Sequence, residues 1–162
     1  MPLKLTLRKH EKVLIGNAVL QNGEAKSEFV VLNHVPILRE KDIITEEAAD
    51  TFAKKIYHTI LNMYVDPEKE QSFHKFYFLL LKQMLVLPLG DDALDLMMQM
   101  SEHIIAGDHY KALKVCRELI EYEAEVMSHA ERSIARIPAS PTGELVWAGF
   151  GGYGVYASSP QT

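Results

Sequence analysis

An α+β fold is predicted: a small N-terminal antiparallel β-sheet module, then a four-helix, bundle-like body and a flexible C-terminal tail. Three observations carry this. Apolar residues recur every second position from Leu3 to Leu38, recur with a helical period from about Thr45 to Arg136, and follow neither period after Pro138. The corresponding segments are 1–44, 45–138 and 139–162.

Leu3, Leu5 and Leu7 alternate with Lys4, Thr6 and Arg8, the pattern of a half-buried strand. Val13-Leu14-Ile15 follows the polar turn Lys9-His10-Glu11-Lys12 and is punctuated by Gly16-Asn17. Ala18-Val19-Leu20 runs into Asn22-Gly23, a strong short-hairpin signal because both residues tolerate positive φ. Phe29-Val30-Val31-Leu32 is a β-rich run, and Pro36 restricts the strand Val35 to Leu38 to an edge or a short piece. Four or five short antiparallel strands result.

Thr45 is the predicted N-cap of the first helix, with Glu46 and Glu47 where the helix dipole favours anions. Ala49, Phe52, Ile56, Ile60 and Tyr64 line its apolar face. Asp66-Pro67 ends it and opens a second helix, as cap and first position, with Phe73, Phe76, Tyr77, Leu80, Leu81 and Met84 on one side. A short third helix runs from Asp91 to Gly107 through Leu94, Met97, Met98, Ile104 and Ile105. Asp108 caps the fourth and longest, whose stripe is Leu113, Cys116, Ile120, Met127, Ala130 and Ile134. Short connections favour antiparallel packing of the four. Residues 139–162 hold one charge, Glu144, and scatter four aromatic residues among five glycines, so a flexible tail is expected.

Length and composition restrict function. The chain has 162 residues, is 48% hydrophobic and 24% charged, and so matches an ordinary globular protein rather than a disordered one. No apolar run reaches the ~20 residues that cross a bilayer, and the first residues carry no signal-peptide block. Cys116 is the single cysteine, so neither an intrachain disulfide nor a thiolate metal site is expected. A cytoplasmic protein with no membrane association is the expectation. The net charge of −5 conceals an asymmetry: through Ile44, seven cations face five acids, a balance of +2, which leaves −7 for the remainder.

No catalytic constellation presents itself, and neither an enzyme nor a cofactor is expected. The seven histidines are dispersed, without a zinc-protease motif; His103 and His109 straddle the Gly107 turn, and no metal site is expected. The glycines around Phe150 neither follow a strand nor precede a helix, so they are no phosphate loop. Glu118, Glu121 and Glu125 at helical spacing read as a solvated face, and Met97, Met98 and Met100 as core filler.

The informative feature is cationic. Lys4, Thr6 and Arg8 share the outward face of the first strand, Lys9 and Lys12 lie in the turn behind it, and Arg39 and Lys41 end the last strand. If first and last strands are neighbours, Arg39 comes beside Arg8. Guanidinium forks and a hydroxyl on such a face suit phosphates and unstacked bases of single-stranded RNA. An edge strand protected from aggregation by its charges would look the same.

Nearly the whole chain resembles the bacterial flagellar biosynthesis repressor FlbT family, in Met1 to Leu7, Ile37-Leu38-Arg39-Glu40-Lys41-Asp42-Ile43, Met63-Tyr64-Val65-Asp66-Pro67, Tyr110-Lys111-Ala112-Leu113 and Leu119 to Glu125. The resemblance implies a post-transcriptional regulator that binds the 5′ leader of flagellin mRNA and lowers its translation or lifetime. It also implies partnership with the small flagellar protein FlaF. The segment Thr6 to Gly16, with Leu38-Arg39-Glu40, is further similar to carbon-storage-regulator proteins, small β-rich RNA-binding dimers. That similarity places Thr6, Arg8 and Arg39 on RNA-contacting positions, with two departures: Leu7 replaces a basic residue and His10 a glycine. The RNA-binding residues expected are therefore Lys4, Thr6, Arg8, Lys9, Lys12, Arg39 and Lys41. A homodimer would supply cover for the small β module; the helices are the other source of cover. The rival reading is a protein-interaction or chaperone-like module whose helical body grips flagellin or another flagellar protein.

Overall fold

The computed structural model describes residues 2–135, with side chains through residue 133, so the tail expected at 139–162 lies outside the described residues. Five strands come first: β1 Leu3–Leu7, β2 Lys12–Ile15, β3 Ala18–Gln21, β4 Ser27–Val31 and β5 Ile37–Arg39. Four helices follow: α1 Phe52–Val65, α2 Glu70–Met84, α3 Asp91–Ile105 and α4 His109–Ala135. The predicted fold class is the observed one: a small antiparallel sheet region, then four helices. Residues Met1–Val126 form one compact unit, so the change of period near 45 marks a change of secondary structure within it.

The strands make two small sheets. β1 pairs with β4, Leu5 opposite Phe29, while β2 is central between β3 and β5, with Val13 opposite both Leu20 and Arg39. Leu5 and Leu7 point inward as their alternation predicts, and with Val13 they form a minor core against Ile15 and Ile37. Leu38 belongs instead to the main core, among Ile56, Ile60, Met63, Tyr77, Met100, Leu113 and Leu119. The β5 strand is thus a hinge of burial, giving Ile37 to one core and Leu38 to the other.

Polar ties join the β region to the helices. Tyr57 Oη donates to the Asp42 carbonyl at 2.7 Å, Arg117 pairs with the Asp42 carboxylate at 2.8 Å, and Tyr64 Oη accepts from the Ile37 N–H at 3.2 Å. Cys116, fully buried, donates from its thiol to the Ala53 carbonyl, and burial pushes that thiol's pKa far above its usual range. It is a packing residue without thiolate reactivity at neutral pH.

Several local expectations are corrected. The two-residue hairpin is Gly16-Asn17, with Ile15 opposite Ala18 and Gly16 at φ +62°, the arrangement of a turn with glycine at its first central position. Asn22 is instead a buried brace whose side-chain amide donates to the carbonyls of Leu7, Arg8 and Ala25 at 3.2, 2.8 and 2.9 Å. Its turn-favouring chemistry serves three strand ends at once. The first helix starts at Phe52, not after Thr45, because Thr51 accepts from the Lys54 N–H and Glu123 of α4 accepts from the Ala53 N–H. Thr45 caps only a short turn, accepting from Ala48 N–H. Pro67 opens a single 3₁₀ turn before α2. The third helix is no shorter than the second, 15 residues each, and turns Ala93, Met97, Met100 and Ile104 inward while Met98 and Ile105 are exposed. It closes on Gly107 at φ +78°, where Gly107 N–H bonds the Ile104 carbonyl and Asp108 N–H the His103 carbonyl, a glycine-terminated stop that aims the start of α4.

Candidate functional site

The cationic residues gather around the turn after β1. Glu11 N–H donates to the Arg8 carbonyl at 3.1 Å and His10 takes φ +57°, the left-handed conformation that this turn position demands and that glycine adopts most easily. His10 N–H is bonded to the Gly23 carbonyl at 3.1 Å, and Lys9 and His10 both approach the Glu24 carboxylate.

Glu11 organises the site. One carboxylate oxygen accepts from the Arg8 N–H at 2.8 Å and the other from the Arg39 guanidinium at 2.8 Å. The Arg8 backbone hydrogen bond, followed by the charge of Arg39, holds the Glu11 carboxyl below its ordinary range against the opposing effect of burial. The second nitrogen of Arg39 donates to the Thr6 carbonyl at 3.0 Å. Arg39 therefore clamps β5 to both β1 and the turn.

The expectation that first and last strands are neighbours is not met, since β1 pairs with β4 and β5 with β2. Arg8 and Arg39 nonetheless line one open depression of about 480 Å³ with Lys9, His10, Glu11, Glu40 and Lys41. Its lining holds four cations, Arg8, Lys9, Arg39 and Lys41, against the carboxylates of Glu11 and Glu40, with Glu24 paired to Lys9 beside it. Lys4 belongs elsewhere: it pairs with Glu28 at 2.8 Å across the β1–β4 ladder and lines a different cavity, bordered by Tyr64 and Tyr110. Thr6 is half-buried on β1, between the inward Leu5 and Leu7. Lys12 lies 3.8 Å from Glu40.

Magnitudes sort these cations. Exposed pairs such as Lys4–Glu28, Lys9–Glu24 and Lys12–Glu40 are each worth roughly 0–1 kcal/mol and can exchange a carboxylate for another anion at little cost. Arg39 differs, because it is more enclosed and holds two backbone segments together; its side chain is structural first. Arg8 and Lys41 are exposed, and among the described residues neither forms a salt bridge. Sequence alternation located the patch but could not show which cations the fold already employs. Glu11, the residue that decides this, read only as a turn polar.

The glutamates Glu118, Glu121 and Glu125 are exposed along α4, in keeping with a solvated face. No helix among the described residues is long and apolar enough to cross a membrane.

The family described as Flagellar protein FlbT matches residues 3–127. A probable flagellum biosynthesis repressor protein FlbT of Caulobacter sp. (strain K31) is 36% identical over 129 residues, covering 80% of this chain and 98% of that protein. The flagellum biosynthesis repressor protein FlbT of Caulobacter vibrioides is 34% identical over 135 residues, covering 83% and 96%. A probable flagellum biosynthesis repressor protein FlbT 1 of Bradyrhizobium diazoefficiens is 35% identical over 132 residues, covering 81% and 88%. No solved structure matches the chain. With the match covering β1 through most of α4, the chain belongs to the FlbT family of flagellar proteins.

Proposed function

We propose that this chain represses flagellum biosynthesis after transcription, by binding the 5′ leader of flagellin mRNA through the depression around Arg8 and Lys41. The relatives' names support the repressor role. The observation that carries the RNA reading is the depression itself: two exposed cations without carboxylate partners among the described residues, on a rim fixed by Glu11 and Arg39. Lys9 and Lys12 join them by exchanging weak surface pairs for phosphates. The mechanism is occlusion. A protein seated on the leader blocks ribosome access or exposes the message to nucleases, with no chemical step of its own.

Four phosphate contacts by Arg8, Lys9, Lys12 and Lys41 give a log–log salt slope of roughly −3 for a single strand. Gel shifts of a labelled flagellin leader across a salt series test this directly. A slope near zero, or equal affinity for an unrelated RNA, rejects the reading.

A second reading has its own observation. The outer face of α2 and the turn beyond it expose Phe76, Phe78, Leu79, Leu85, Val86 and Leu87, an apolar strip suited to a partner helix from FlaF or flagellin. Of the α3 methionines, Met97 and Met100 are buried and only Met98 is exposed. Capture of a FlaF or flagellin peptide, lost on Leu79→Glu, would favour this surface as the primary one. Exposed Val19, Leu20, Phe29 and Val30 in the β region favour self-association, which light scattering on the purified chain checks.

A further inference from the structure

Away from the cationic turn, the fold assembles three metal-ligating side chains that the sequence separates. Glu70 is the first residue of α2, His74 lies one turn further along it, and His109 is the first residue of α4. The Glu70 and His74 spacing of four places both on one helix face. The glycine stop at Gly107 sends the chain back so that His109 lands against them; their ligand atoms all lie within 4.8 Å of one another. The histidine across the Gly107 turn from His103 thus meets an acid and a histidine of α2.

The three groups converge closely. Glu70 Oε1 stands 3.3 Å from His74 Nε2 and 3.0 Å from His109 Nε2. Yet both imidazole nitrogens are buried and have no hydrogen-bond partner, because neither contact has a hydrogen bond's direction. Two buried nitrogens converging on one carboxylate oxygen, without hydrogen bonds, leave their lone pairs unsatisfied. An ion with bonds of about 2.0–2.1 Å to each atom separates its tetrahedral ligands by about 3.3 Å, close to the two distances from Glu70 Oε1. The two rings stand edge to face with centroids 6.4 Å apart.

We propose that Glu70, His74 and His109 form a binding site for one divalent transition-metal ion of the zinc type. Two imidazoles and one carboxylate are borderline ligands that select such an ion over magnesium or calcium, which require more oxygens. The His109 side chain is only 11% exposed, whereas Glu70 and His74 remain about one-third exposed, so a fourth position is open to water. The ion joins the first turn of α2 to the first turn of α4. It therefore acts as a clamp between two helices whose sequence separation is large, and its binding free energy adds to folding.

The test uses the untagged full chain, stripped with a chelator and titrated with Zn²⁺ by calorimetry. One ion per chain is expected, with affinity at least about tenfold weaker in each of Glu70→Gln, His74→Ala and His109→Ala, and unchanged in His34→Ala, an exposed histidine of the β region. Should a ligand variant fail to fold, the wild-type chain loaded with Co²⁺ carries the question by itself. Intense visible absorption of a four- or five-coordinate cobalt site supports the proposal. The weak spectrum of hydrated cobalt, or Zn²⁺ affinity equal in wild type and the His74→Ala/His109→Ala double variant, overturns it.

Discussion

The β region and the helical region are held together by different physics. In the helices the work falls to apolar side chains: Ile56, Ile60, Met63, Tyr77, Met100, Leu113 and Leu119 are all shielded from water in one continuous core. In the β region only Leu5, Leu7 and Val13 are buried as a cluster, while Val19, Leu20, Phe29 and Val30 face outward. Polar groups make up the difference: Asn22 binds three carbonyls, Glu11 and Arg39 bridge a turn to two strands, and Lys4 pairs with Glu28. Charge in the β region is thus partly structural. A cation there counts toward ligand binding only after its duties in the fold are subtracted, and among the four cations that line the depression that subtraction leaves Arg8 and Lys41.

The contrast can be broken by substitution. The largest effect is expected in the helical core, where Leu113→Ala leaves a cavity among fully buried neighbours and should cost about 3 kcal/mol in denaturant unfolding. Next comes the β region's brace. Asn22→Ala strips three carbonyls of a donor and should cost about 2 kcal/mol, as much as a core methyl group or two. A cost below about 0.5 kcal/mol would mean that the strands need no polar brace, and the comparison would fail.

A smaller effect of opposite sign is expected at His10. Its φ of +57° is costly for a side-chain-bearing residue, so His10→Gly should stabilise the chain by about 0.5–1 kcal/mol in the same assay, despite losing an exposed contact with Glu24. The mildest effect is a pH dependence. Because the folded-state pKa of Glu11 is lowered, the unfolded chain binds the proton more readily between the two values. The stabilisation is fully present above the ordinary carboxylate value of 4.5 and is lost as pH falls through the lowered one. Acid titration monitored by thermal melting should therefore show Glu11→Gln flattening the stability profile below about pH 4.5, with little change in its shape near neutrality.

Periodicity made most of the fold legible. The alternation of Leu5 and Leu7 and the helical spacing of Ile56, Ile60, Leu113 and Cys116 report burial directly, since each records which side of an element meets a core, whereas Leu3, at the strand's start, is exposed. Termini were harder, because Thr45 and Thr51 are both good caps; the choice was made by Glu123, a residue 72 positions from Thr51 that reaches the Ala53 N–H. The hairpin was misplaced for a related reason. Asn22-Gly23 and Gly16-Asn17 are both turn dipeptides, and only the register of β2 with β3 decides between them. The same limit applies at the sites. Alternation brought out the cationic face, but the Glu11–Arg39 pair and the meeting of His109 with Glu70 and His74 are tertiary contacts without a local pattern.

The central claim is that Arg8 and Lys41, free of structural duty, grip the leader RNA. It is tested most directly by the Arg8→Ala/Lys41→Ala double variant, titrated with labelled flagellin leader across a salt series beside wild type. The account predicts an unchanged melting temperature, at least tenfold weaker binding, and a salt slope shallower by about 1.4, two contacts at ~0.7 each. Wild-type affinity and slope in a folded double variant would contradict it.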